Sequence, residues 1–141
     1  MELLQPLYRA AVELIDRKYP EGWGGASAMY TDRGSILTSI SPEVVNLSTE
    51  ISFEVGAICE AHKNDERVTH VVSVIRDDFQ GNGTYEYKVL APCGVCQEML
   101  FYWGEEVRCA VQDEAGGLVF KSLKELQPYY WRRAYYGKSK N

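Results

Sequence analysis

The 141-residue chain has no apolar run that approaches a membrane span. Its longest apolar stretches, such as Val71-Val72 with Val74-Ile75, fall far short of the roughly 20 residues needed to cross a bilayer, so no membrane partner is expected. Basic charge is scarce as well: 15 Lys and Arg stand against 20 Asp and Glu, for a net charge of −5 and a pI near 5.1. A surface that tracks phosphates needs a basic stripe, so no nucleic acid partner is expected either. The basic residues that do cluster, Arg132, Arg133, Lys138 and Lys140, fall in the last ten positions and read as a solvated tail. Internal repeats and low-complexity tracts are missing, which excludes fibrous and disordered classes. Near the start, Glu2 and Arg9 interrupt what would have to be an apolar signal core, and this predicts a cytoplasmic protein with reduced thiols. Four cysteines in that setting mean chemistry or packing rather than disulfide staples.

What is present suits a globular domain: 45% hydrophobic and 25% charged residues, close to the average. The length predicts one domain, 1–141, able to bury about two-thirds of its unfolded surface without disulfides. Leu4, Leu7, Ala11, Leu14 and Ile15 recur at helical spacing and predict a helix over about 2–19, stopped by Pro20 and Gly22. Residues 23–30 and 35–40 read as strands joined by a turn that Gly34 closes. Ser48 or Thr49 is a candidate cap for a second helix running to about Lys63, with Ile51, Val55, Ile58 and His62 on one face. Strands follow at 68–76 and 85–91 around a Gly- and Asn-rich loop, then a helix at 93–103, strands at 107–112 and 117–120, and a final helix over 123–134. Helices alternating with strands after an initial hairpin imply a mixed sheet covered on both faces.

The chemistry concentrates at Leu90-Ala91-Pro92-Cys93-Gly94-Val95-Cys96-Gln97-Glu98, where a strand gives way to a helix. Residues three apart on a helix share a face, and the unpaired N–H groups of a first turn favour thiolate over thiol. Cys93 and Cys96 therefore suit a soft cation such as zinc, which needs four ligands or three and a water. A packing-only pair and a redox dithiol are the alternatives.

Two further segments line up with this pair. Ser52-Phe53-Glu54-Val55-Gly56-Ala57-Ile58 resembles the x-Ala-Glu opening of the zinc helix in cytidine deaminases, and Ser122-Leu123-Lys124-Glu125-Leu126-Gln127-Pro128 resembles their closing Thr-x-x-Glu-Leu-Leu-Pro segment. In order and in their roughly 40-residue spacing the three motifs resemble the small tetrameric members of that family, blasticidin-S deaminase among them, over nearly the whole chain. The resemblance implies an α/β fold, a three-layer α/β/α sandwich with a mixed five-stranded sheet. It implies zinc held by Cys93, Cys96 and the Ser52 position, Glu54 as the proton carrier, and hydrolytic deamination of cytidine, deoxycytidine or a related aminopyrimidine nucleoside. It also implies ribose contacts from Glu43 and Asn46, a ring from Tyr129, Tyr130 or Trp131 near a neighbouring subunit's substrate, and a homotetramer or homodimer.

Ser52 departs from the pattern, which has Cys or His there; the register Ser48-Thr49-Glu50 also offers only a serine. A neutral hydroxyl lies outside the usual zinc ligands, so zinc affinity should fall. Cys59, seven residues on from Ser52, is displaced by about 10 Å of helical rise, and His62 lies farther still. Cys109, His70 and a ligating Glu54 stay open as substitutes, although Cys59 and Cys109 are most simply core residues and Ser52 a packing serine. A metal-poor relative that binds nucleosides or partners, and a structural zinc protein, are the rival functions.

Overall fold

The computed structural model describes residues 2–78 and 80–136; Lys138 and Lys140, assigned to the basic tail, lie outside the described residues. The opening helix α1 (Leu4–Lys18) begins where the Glu2 carboxylate accepts the N–H groups of Leu4 and Gln5, and it buries Leu7, Ala11 and Ile15, one turn apart. The hairpin pairs β1 (Gly24–Thr31) with β2 (Ile36–Ser39) through a turn in which Gly34 takes φ of +81°, a conformation that favours glycine.

The second helix differs from expectation at its start. Residues 47–49 form a separate 3-10 turn capped by Asn46, and α2 (Val55–Lys63) begins only after Glu54, its N-cap. With the start shifted, the buried face is Ala57, Ile58 and Ala61, while Cys59 is exposed, contrary to its assignment to the core.

The central strand β3 (Val68–Asp77) runs antiparallel to β1 on one side. Its other edge is shared. Ser73 to Asp77 pair antiparallel with β4 (Glu86–Leu90), and His70 and Val71 pair parallel with β5 (Arg108–Gln112), reached through helix α3 (Gly94–Leu100). β6 (Leu118–Ser122) completes a mixed sheet of six strands rather than five. The sixth fits because a ten-residue strand is long enough to carry two partners on one edge. The last helix is also shorter than expected: α4 (Leu123–Leu126), opened by a Ser122–Glu125 capping box, stops before Pro128, and a further turn, α5 (Arg133–Tyr136), follows.

Alternation along the strands divides the core. Ala26, Ala28, Val72, Val74, Val89 and Ala110 pack under α1, and Met29, Val71 and Cys109 pack under α2 and α3, giving the expected three layers. Buried Arg76 donates to the carbonyls of Tyr19 and Gly22 and to Asp16, and lies over the Tyr85 ring, fixing the segment that follows α1. No helix among the described residues is long and apolar enough to cross a membrane.

Candidate functional site

The site lies where the edge of β3 passes from β4 to β5. Strands that diverge at such a point leave a crevice at their ends, and ligands of open α/β sheets bind there. β4 ends opposite Ser73, so its exit carries Pro92 and the thiol pair to the middle of β3, and α2 starts against the same place.

Cys93 is the N-cap of α3 and Cys96 lies in its first turn. The Ser52 hydroxyl is 3.1 Å from the Cys93 sulfur, and the Cys96 thiol donates to Glu54 Oε1 at 3.7 Å. The other carboxylate oxygen, Oε2, accepts from the Ser73 hydroxyl at 3.0 Å. Glu54, 3% exposed, thus shares one small volume with both cysteines, 39 and 42 positions on in the chain. Ser52-Phe53-Glu54 is held there from two sides: the Ser39 hydroxyl donates to the Phe53 carbonyl, and the Phe53 ring lies so close to Gly25 that a Cβ on that glycine would stand 2.8 Å from it.

Electrostatics differ between the two thiols. Burial acts to raise Cys93, but the Ser52 hydroxyl and the amide groups of Cys96 and Val95 outweigh it and hold the thiol below its ordinary value. Burial pushes the Cys96 thiol up to about 12, with the Glu54 charge adding to it. Burial also raises Glu54 above the ordinary carboxylate range, against the hydrogen bond from Ser73. A carboxyl group whose protonated form is favoured in this way is suited to carrying protons.

A cleft of about 530 Å³ opens on this corner, lined by Tyr19, Trp23, Glu43, Glu50, Ser52, Phe53, Glu54 and Cys93 among others. Tyr19, Trp23 and Phe53 give it aromatic surfaces, and among the described residues the carboxylate side chains that line it are Glu43, Glu50 and Glu54, with no Lys or Arg. Glu43 is close enough for its charge to add to the burial that raises Tyr19. Asn46 is not part of the lining: its side chain accepts the Ser48 N–H and hydroxyl at the head of the 3-10 turn.

Of the substitutes for a third ligand, Glu54 lies with the cysteines, and the two histidines are placed elsewhere. His62 stacks against Tyr102 and Trp103 beside a separate hollow, and His70 lies on the α1 side of the sheet between Tyr30 and Phe120. Cys109 is in the core on the Glu54 side, its thiol pushed up to about 12 by burial and then by the Glu54 charge. Among the described residues, no group of three or more His, Cys, Asp or Glu side chains is arranged to hold a metal ion. Of the C-terminal aromatics, Tyr130 is buried in a stack on Phe101, Trp131 donates to Glu98, and Tyr129 is exposed.

Sequence reasoning missed Tyr19, Trp23 and Ser73. The signal for Ser73 was legible as a hydroxyl residue interrupting the β-branched run Val71-Val72-Ser73-Val74-Ile75.

No protein-family model and no curated protein matches the chain. Among solved structures, a cytidine deaminase from Bacillus anthracis is 49% identical with a TM-score of 0.86, the match covering 95% of this chain and 93% of that one. Cytidine deaminases from Mycobacterium leprae (21% identity, TM-score 0.66, 90% and 99% coverage) and Burkholderia pseudomallei (16%, 0.66, 91% and 98%) share the fold.

Proposed function

This chain belongs to the cytidine deaminase family, and we propose that it hydrolytically deaminates a cytosine-type nucleoside with zinc as its cofactor. The observation that carries the reading is the meeting of Glu54 with Cys93, Cys96 and Ser52 beside a cleft that Tyr19, Trp23 and Phe53 help to line.

The donors fit the metal in part: two thiols and a hydroxyl are brought together, and the hydroxyl lies outside the usual zinc ligands. Of the three, the Cys93 sulfur and the Ser52 oxygen lie 3.1 Å apart, and the Ser52 hydroxyl also acts on the Cys96 thiol. Cys93 and Cys96 would hold zinc as thiolates, with the Ser52 hydroxyl as a weaker third donor. When bound, zinc supplies a water of lowered pKa, able to attack C4 of the base at neutral pH.

The remaining work falls to this chain. Glu54 takes one proton of the attacking water on Oε1 and delivers it to N3 of the ring; it then takes the remaining proton from the new C4 hydroxyl and passes it to the amino group, which leaves as ammonia as the C4 carbonyl forms. Tyr19, Trp23 and Phe53 offer flat surfaces for the base, and Glu43 accepts hydrogen bonds from sugar hydroxyls. Asn46 joins the sugar site only if the 3-10 turn opens. The protein acts as a single domain in the cytoplasm, in nucleoside metabolism. Exposed Val45, Leu47, Val95, Tyr102 and Trp131 support a homotetramer or homodimer.

The test is loss of cytidine ultraviolet absorbance by the purified chain, alongside its metal content. Stoichiometric zinc with turnover that Glu54→Gln abolishes upholds the reading. A second reading, a metal-poor relative that only binds nucleosides, is favoured by Ser52 at the third-ligand position and is what absent zinc and absent turnover would support.

A further inference from the structure

Glu54 is held from behind by a hydroxyl that no motif includes, and that hydroxyl is backed by a second. On the α2 side of the sheet, β1 and β3 present Ser27 and Ser73, direct partners across the two strands and 0% and 1% exposed. Their chain neighbours Ala26, Ala28, Val72 and Val74 are all apolar and point to the α1 side. An apolar pair would be the ordinary occupant of such inward positions, because a buried hydroxyl without a partner is costly.

The protons have one consistent order. Ser73 has a single hydroxyl proton and donates it to Glu54 Oε2 at 3.0 Å. Its oxygen is then left to accept from Ser27, 3.2 Å away, a nearer acceptor for the Ser27 proton than the Val72 carbonyl at 3.5 Å. Ser27, Ser73 and Glu54 thus form a directed chain ending on one carboxylate oxygen, while Oε1 faces Cys96.

We propose that Ser73, backed by Ser27, is a positioning residue for Glu54: the hydroxyl pair pins Oε2 in the sheet so that Oε1 stays aimed at the thiol corner and the cleft. Without Ser73, Oε2 loses the side-chain hydroxyl that anchors it to the sheet, and the carboxyl group is free to turn toward its remaining donors, taking Oε1 out of line. The proposal rests on Glu54 as the proton carrier, so its test includes a readout that needs no turnover.

Ser73→Ala is expected to lower kcat for cytidine about tenfold, the scale of one hydrogen bond to a charged group, with KM within about twofold and zinc content unchanged. Ser27→Ala, one bond removed from the carboxylate, should cost about threefold, and Ser73→Thr, which keeps the hydroxyl, should recover most of the loss. An unchanged kcat in Ser73→Ala, or KM and zinc content falling away together with it, overturns the proposal. Infrared difference spectra supply the independent measurement: the Glu54 carboxyl band, identified by its loss in Glu54→Gln, should shift in Ser73→Ala, and an unmoved band also overturns the proposal. Absence of cytidine turnover in the unaltered protein would count against the functional reading alone, since the infrared band is read without substrate.

Discussion

The two faces of the sheet are built from the same strands and do opposite work. Under α1 the cluster of Leu7, Ala11, Ile15, Ala26, Ala28, Val72, Val74, Val89 and Ala110 is apolar throughout, with buried Arg76 at its margin. Under α2 and α3 the neighbouring positions of β1 and β3 carry Ser27 and Ser73, and the face encloses Glu54, Cys96 and Cys109 as well as its apolar residues. The first face contributes stability through removal of apolar area from water. The second holds a carboxyl group and thiols where water is sparse, a desolvation cost that a purely structural layer has no reason to carry. The α1 layer therefore serves as the support against which the layer that carries Glu54 and the thiols is held.

The comparison breaks first at Glu54. Glu54→Gln keeps the shape and removes the proposed proton carrier, so cytidine turnover should fall by about 10²–10⁴ while the thermal midpoint scarcely moves. A large loss of stability with activity per folded molecule intact would assign Glu54 to structure instead. On the other face, Leu7→Ala should lower unfolding free energy by about 2–5 kcal/mol in denaturant titration, with zinc content and turnover per folded molecule unchanged.

Ser52→Cys sharpens the picture of the reactive face. A thiolate in place of a neutral hydroxyl should tighten zinc at least about tenfold in chelator competition and raise any deaminase rate. If neither changes, Ser52 is not at the third-ligand position.

The smallest effect lies away from both layers. Glu66 accepts from the hydroxyls of Ser35 and Thr31, tying the β1–β2 turn to the segment before β3, and these bonds hold its carboxyl below the ordinary value of 4.5. A depressed folded-state value means the stabilisation is complete above 4.5 and is lost as pH falls through the folded value. Urea midpoints followed downward from pH 6 should decline in that acid window, and Glu66→Gln should flatten this part of the decline.

Much of this organisation was legible along the chain, but unevenly. The α1 helix, the hairpin and the strand–helix join at Cys93 were readable because periodicity, turn residues and capping act between residues a few positions apart. The second helix was misjudged at its start because a 3-10 turn capped by Asn46 satisfies the local signals at Ser48 and Thr49 before α2 begins at Val55. That displacement also turned Cys59 outward. The final helix was drawn past Pro128, whose ring forces the preceding Gln127 out of helical geometry.

By itself, the order of residues determined the amphipathic elements, the two thiols in one helical turn and the carboxyl group two places after Ser52. Only tertiary structure decided that these groups meet. Glu54 is separated from Ser73 by 19 positions and from Cys96 by 42, and no local rule spans such intervals. The meeting follows from β3 exchanging one edge partner for another at its middle, since an opening between β4 and β5 is what admits the heads of α2 and α3 to the same point of the sheet.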